Sequence, residues 1–218
     1  MPKIKVPRSS PSLDMTPMVD LAFLLVTFFM LTATMRTPEP VIVDTPGSSD
    51  SDTLPKNTML LTIDTAGRVF YNIENPEVRR KTLENMMIRF PGNKFTEEQK
   101  LKFANMQSFG VPLKELPEYI DADGARRKAM DVSTKGIPID TADDKKNELF
   151  YWIYEGRKEA QRFKDENEAL KLNKLRIAIK ADSKAAYKKI DFVLDLFQKQ
   201  NVFNFNLVTN QEVNPNEK

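Results

Sequence analysis

The feature that most constrains this chain is an apolar run near its N-terminus with an acidic residue, Asp20, inside it. The run covers residues 13–35, and Asp20 is the only charged residue within residues 15–35. A helix over residues 17–35 would be about 28 Å long, close to the thickness of a hydrocarbon core. An ionised carboxylate at mid-membrane costs at least about 2.5 kcal/mol, so such a residue usually faces a protein interior or an ion path. We therefore expect residues 15–35 to form a transmembrane helix with Asp20 as its functional residue.

Charged residues on either side of the apolar run predict its orientation. Lys3, Lys5 and Arg8 precede the run, whereas acidic residues become frequent soon after Arg36. By the positive-inside rule, residues 1–14 stay in the cytoplasm and the chain after the apolar run is translocated across the membrane. A cleaved signal peptide is the alternative, but it would have a shorter apolar core and a better small-residue cleavage site. A retained, single-pass anchor is the expectation.

Polar side chains collect on one stripe of the predicted helix. Thr16 is a natural N-cap for this helix, and we also expect it to pair with other helices or to face a channel. Steps of three and four residues then place five residues on one face: Asp20, Leu24, Thr27, Leu31 and Thr34. Such a stripe is expected to pair with other helices or to face a channel rather than lipid. The alternative for the threonines is a hydrogen bond back to their own helix, whereas a carboxylate has no comparable local partner.

The segment after the helix has the composition of a tether. Residues 36–57 contain repeated prolines and a short stretch of Gly, Ser and Asp, which predicts a disordered linker. Within it, Val41 and Val43 flank Ile42 and have β propensity. They predict docking as an added strand on a sheet edge, although an ordinary linker with a few apolar residues fits equally well.

Residues 58–210 are predicted to form an α/β (α+β) domain with a small sheet and helices, followed by a tail over residues 211–218. Apolar residues alternate over residues 59–63 and again over residues 69–71, which indicates a hairpin. Near the C-terminus an alternating strand, a helix with apolar residues at helical spacing, and a second alternating stretch over residues 203–207 indicate a strand–helix–strand unit.

A helical insertion is predicted between the hairpin and the strand–helix–strand unit, over residues 80–173. Thr96 with Gln99, and Thr141 with Asp144, have the spacing of capping boxes that open helices. The second helix should run from residue 142 to about residue 170. It carries four large apolar side chains that we interpret as core packing rather than a ligand site: Phe150, Trp152, Ile153 and Tyr154.

Two residue types that are common in enzymatic sites are missing. The sequence has no His and no Cys, which excludes His-centred base catalysis, thiol nucleophiles and Cys/His zinc sites. The net charge of +2 argues against a nucleic-acid face. Asp121 and Asp123 resemble part of a calcium loop, but Tyr119 and Met130 occupy the positions where that loop needs acids. We expect no catalytic residue, metal or cofactor. An enzyme released by signal cleavage is the least supported alternative.

Two parts of the chain resemble the ExbD/TolR biopolymer-transport family. The run over residues 13–33, LDMTPMVDLAFLLVTFFMLTA, looks like the family's transmembrane helix, whose T-P-x-x-D opening places its aspartate at Asp20. Residues 175–182 together with the helix around residues 192–197 resemble the family's closing strand–helix–strand unit. The insertion has no counterpart, so the resemblance implies an enlarged periplasmic domain.

The resemblance implies an ExbD-like subunit of a proton motor in the bacterial inner membrane. Asp20 would be the proton-translocating residue of a helix that pairs into a homodimer inside ExbB/TolQ-type multi-span subunits. The periplasmic domain would then pass motion to a TonB-like transducer that serves outer-membrane transport. A TolR-like role in envelope integrity is the nearest alternative, and a membrane-anchored binding module without proton coupling is a further one.

Overall fold

The computed structural model divides the chain into two compact units, Met1–Pro38 and Glu39–Lys218. The described residues are 15–32, 40–41, 43–45, 47–48, 57–139, 147–167, 174–208 and 210–211. The first unit contributes one described element, helix α1 (Thr16–Thr32), and the second unit contributes all others.

Helix α1 occupies the predicted apolar run, and none of its side chains is buried. Thr16 is the first helical residue rather than the N-cap, because the Met15 carbonyl already accepts a hydrogen bond from Val19 N at 3.0 Å. Residues 33–35, including Thr34, lie outside the described residues. Within the described ranges, no helix combines the length and apolarity needed to cross a membrane.

The second unit is built on a four-stranded mixed sheet with the order β3-β2-β4-β5. The strands of the unit are β1 (Gly47–Ser48), β2 (Thr58–Ile63), β3 (Val69–Ile73), β4 (Arg176–Ala181), β5 (Asn206–Val208) and β6 (Asn210–Gln211). Strands β2 and β3 form the predicted antiparallel hairpin, while β4 is parallel to both β2 and β5. Strands β1 and β6 form a separate parallel pair.

The described part of the unit also contains six helices, and five of them lie between β3 and β4. They are α2 (Pro76–Arg89), α3 (Glu97–Asn105), α4 (Leu116–Asp121), α5 (Gly124–Ser133), α6 (Glu148–Glu166) and α7 (Tyr187–Lys199). The capping box at Thr96 is confirmed, because Gln99 N donates to Thr96 Oγ1 at 3.2 Å and Thr96 N donates to Gln99 Oε1 at 3.0 Å. The predicted strand–helix–strand unit is also confirmed as β4, α7 and β5.

Two element boundaries differ from the prediction. Helix α6 is shorter than residues 142–170, because the Asn147 side chain accepts a hydrogen bond from Phe150 N and caps the helix there. The predicted capping box at Thr141 lies outside the described residues. Strand β5 begins at Asn206 rather than at residue 203, because the Phe205 ring instead packs on Phe197 of α7, with centroids 5.6 Å apart.

Four aromatic side chains, three from secondary-structure elements and one from a loop, form the centre of the core. The Trp152 ring lies 4.9 Å from Phe109, 5.7 Å from Tyr71 and 5.9 Å from Phe103, measured between centroids. The Tyr71 hydroxyl donates to the Trp152 carbonyl at 2.9 Å, which ties β3 to α6. The expectation of core packing is therefore confirmed for Trp152 and Ile153, whereas Tyr154 is 43% exposed.

Candidate functional site

The predicted stripe of α1 lies along one exposed face of the helix. Asp20, Leu24, Thr27 and Leu31 are all exposed, as is Thr16 at the start of the helix. Their spacing of three and four residues brings them onto a common face. The structure thus brings five of the six predicted helix-pairing or proton-translocating residues together.

Two threonines of α1, Thr27 and Thr32, use their hydroxyls within the helix. Thr27 Oγ1 donates to the carbonyl oxygens of Phe23 and Leu24, both at 2.9 Å. Thr32 Oγ1 donates in the same way to the Phe28 carbonyl at 2.8 Å. The alternative interpretation of the threonines is therefore correct for Thr27, because its hydroxyl needs no partner outside its own helix.

Asp20 differs from these threonines in its lack of a local partner. Among the described residues its carboxylate makes no hydrogen bond and no ion pair. A carboxylate offers only acceptors when it is ionised and gains a donor when it is protonated. Asp20 is thus the one stripe residue whose side chain switches between accepting only and also donating a hydrogen bond when it binds a proton.

The linker residues predicted to dock, Val41 and Val43, lie within the second unit and are partly or fully buried there. Val43 is 7% exposed and Val41 is half-buried. Asp44 N donates to Asp182 Oδ2 at 3.1 Å, and Ser183 N donates to the Asp44 carbonyl at 2.9 Å. The contact is made at the turn after β4 rather than along the edge of the sheet, where the predicted added strand would have paired.

Asp182 is the residue of this contact that the sequence analysis did not single out. Its second carboxylate oxygen accepts a hydrogen bond from Lys184 N at 2.9 Å, and its own N–H donates to the Ile63 carbonyl at 2.9 Å. An Asp directly after a strand and two residues before its backbone donor is typical of an Asx turn. That pattern predicts the turn, but only the fold reveals that the other carboxylate oxygen holds the Asp44 backbone.

A second buried polar cluster joins the β2–β3 hairpin to α5. The Tyr119 hydroxyl donates to Asp131 Oδ1 at 2.7 Å, and Arg68 both pairs with Asp64 at 2.6 Å and donates to the Asp131 carbonyl at 2.8 Å. Burial raises the pKa of Asp131 to about 6, against the opposing effects of Tyr119 and the nearby arginines. Because these groups satisfy one another, we interpret the cluster as structural.

The described residues contain no group of three or more Asp or Glu side chains that could hold a metal ion. Several acidic residues of the helical region pair with nearby cations or amides. Glu155, for example, accepts hydrogen bonds from Arg89 at 2.9 Å and from Asn85 at 3.2 Å.

Comparison with known proteins gives one match. The family model described as "Biopolymer transport protein ExbD/TolR" matches residues 7–212 of the chain. Neither the curated proteins nor the solved structures contain a match. The matched range includes α1, the linker and every strand and helix of the second unit.

Proposed function

Because the chain belongs to the ExbD/TolR family of biopolymer transport proteins, we propose that it is an ExbD-like subunit of an inner-membrane proton motor. In this role it converts the proton-motive force into mechanical work for TonB-dependent transport across the outer membrane. The observation that carries the proposal is the exposed Asp20 carboxylate, which has no partner among the described residues of its own chain.

The proposed membrane anchor covers residues 15–35, with residues 1–14 in the cytoplasm and the second unit in the periplasm. Two observations support it. The apolar side chains of α1 are exposed along the whole helix, so they need lipid or partner helices to cover them. The basic residues before the run and the acidic residues after it have the distribution of a single span with its N-terminus inside.

The proposed motor step is protonation and release at Asp20. The ionised carboxylate prefers a hydrated or hydrogen-bonding neighbour, whereas the neutral acid tolerates an apolar one. A helix carrying this group therefore changes its preferred position inside a surrounding ring when the proton arrives or leaves. Each proton that moves down about 100 mV supplies about 2.3 kcal/mol for that movement.

The partners of the proposed complex follow from this chemistry. The exposed stripe supports pairing of two α1 helices in a homodimer, surrounded by multi-span subunits of the ExbB/TolQ type. The family generally works with such subunits and with TonB- or TolA-type transducers. A TonB-like transducer in the periplasm would receive the motion through the second unit.

We expect a multi-span membrane protein to copurify with the full-length chain through its proposed anchor. A variant whose residues 15–35 are replaced by an unrelated apolar span should lose this protein, while Thr27→Val should keep it because the Thr27 hydroxyl bonds only within its own helix. The measurement is identification of copurified proteins by mass spectrometry from detergent extracts. Retention of the partner after replacement of the span would contradict the proposal and favour an anchored binding module.

We also propose that the linker switches between the docked position and a free one. Burial of Val43 and the two hydrogen bonds of Asp44 support docking, and release would lengthen the reach of the second unit. Val43→Asp should therefore raise the rate of proteolytic cleavage within residues 39–57 by about tenfold, since an unpaired charge is costly to bury. Val41→Asp is the matched control with a smaller expected effect, since Val41 is only half-buried. Equal cleavage rates in the parent and Val43→Asp would contradict docking.

A further inference from the structure

The second unit has a concave surface whose side chains are more basic than those of the chain as a whole. It lies between α6, the start of β4 and the end of α7, with a cavity volume of about 490 Å³. Pockets that bind small molecules occupy about 300–1,000 Å³. We name this surface the basic pocket and define it by Tyr154, Arg157, Lys158, Lys174 and Lys199.

The basic pocket concentrates positive charge without acidic neighbours in its described lining. It has four Lys or Arg residues and no Asp or Glu, whereas the whole chain has 33 basic and 31 acidic residues. Lys158 pairs with Glu155 at 3.6 Å, and that carboxylate is also bonded to Arg89 at 2.9 Å. The described lining of the pocket therefore carries an excess of basic side chains.

Arg157 is held in the wall of the pocket in a fixed position. Its Nη1 donates to the Gln200 carbonyl at 3.1 Å and to Gln200 Oε1 at 3.3 Å, and Gln200 in turn donates to the Phe150 carbonyl at 2.8 Å. Both acceptors are neutral, so they orient the guanidinium without cancelling its charge. Burial lowers the pKa of Arg157, against a smaller opposing effect of the nearby Tyr154 hydroxyl.

The same pocket offers a flat aromatic surface. The rings of Phe150 and Tyr154 are stacked with centroids 6.4 Å apart and an interplanar angle of 6°. Tyr154 is 43% exposed, so part of this stack is open to a ligand. A pocket lined by both aromatic rings and cationic side chains suits a ligand that combines a planar group with negative charge.

We propose that the basic pocket binds a small planar anion that carries at least two carboxylate, phosphate or sulfonate charges. The planar part would pack on the Phe150–Tyr154 stack, and the charges would pair with Arg157, Lys158 and Lys174. The proposal is independent of proton coupling, because every residue that carries it belongs to the second unit and none belongs to α1.

The test is a binding titration with the full-length chain in nonionic detergent, with 8-hydroxypyrene-1,3,6-trisulfonate as the probe. This dye is flat, carries three sulfonates and reports binding by fluorescence anisotropy. We expect saturable binding that weakens with added salt, because partly exposed charge pairs are screened. Inorganic sulfate, which lacks the ring, should compete at least about tenfold less well than unlabelled pyrene tetrasulfonate.

Variants separate the pocket from general surface charge. The double substitution Lys158→Gln and Lys174→Gln should weaken dye binding at least about tenfold. The matched control is Lys128→Gln with Lys135→Gln, which removes the same charge at two exposed positions that do not line the pocket. Circular dichroism of each variant verifies that it is folded, and Asp20→Asn should bind the dye as the parent does.

Equal weakening by the pocket variant and the control variant would overturn the proposal, because binding would then follow net charge alone. Non-saturable binding, or sulfate competing as well as pyrene tetrasulfonate, would also overturn it. Loss of transport in Asp20→Asn with unchanged dye binding would support the two proposals separately.

Discussion

Replacing Asp20 by Asn is expected to abolish coupled transport while the chain remains in the membrane. Asn has nearly the shape of Asp and can still hydrogen-bond, but it cannot gain or lose a proton near neutral pH. The substitution also removes an ionised group that costs at least about 2.5 kcal/mol in an apolar span, so insertion should not suffer. Uptake of a TonB-dependent nutrient and the amount of protein in isolated membranes are the two measurements.

Thr27→Val is the control for this experiment, because it lies on the same face of α1 two turns away. Its hydroxyl bonds to the carbonyls of Phe23 and Leu24, so its removal costs no contact outside the helix. Near-normal uptake is expected in Thr27→Val. Normal uptake in Asp20→Asn, at equal protein level, would show that the aspartate is not the working group of a proton motor. A deletion strain that leaks periplasmic proteins yet takes up the nutrient would assign the chain a TolR-like role instead.

The second large effect is expected at Gly156, in the buried middle of α6. A Cβ at this position would overlap Tyr71 Oη and would lie 2.7 Å from Ile73 Cδ1 and 2.9 Å from Met59 Cε. Tyr71 cannot move aside freely, because its ring is buried and its hydroxyl is bonded to the Trp152 carbonyl. Gly156→Ala should therefore destabilise the folded state by about 1–3 kcal/mol, even though Ala favours a helix by about 1 kcal/mol. Gly156→Val should cost more, since it adds two further methyl groups to the same space.

Gly124→Ala is the matched control, because a Cβ at this helical glycine meets no atom within 4 Å. It should be neutral or slightly stabilising, as the helix propensity alone decides its effect. Chemical unfolding followed by the fluorescence of Trp152, the only tryptophan of the chain, measures both variants. An unfolding midpoint of Gly156→Ala equal to or above that of the parent would contradict the close packing of α6 on the hairpin.

Features that depend on neighbouring residues could be predicted from the sequence. The apolar run with Asp20, the β2–β3 hairpin and the β4-α7-β5 unit follow from periodicity over a few residues. The Thr96 capping box follows from two side chains three residues apart. The family resemblance also depended on local segments, and the family match over residues 7–212 confirmed it.

Features that depend on distant residues could not be predicted in this way. The Asp44–Asp182 hydrogen bond joins residues that are 138 positions apart, and nothing near either residue indicates the other. Gly156 resembles an ordinary helix interruption until α6 is placed against Tyr71.

The sequence by itself determined where the titratable group lies in an apolar helix, because both the helix and the charge are properties of one continuous segment. Only the tertiary structure decided where the cations of Arg157, Lys158, Lys174 and Lys199 meet. The physical reason is that the sheet register and helix packing bring α6, the start of β4 and the end of α7 together. In the sequence, each of these lysines looks like an ordinary solvent-exposed residue.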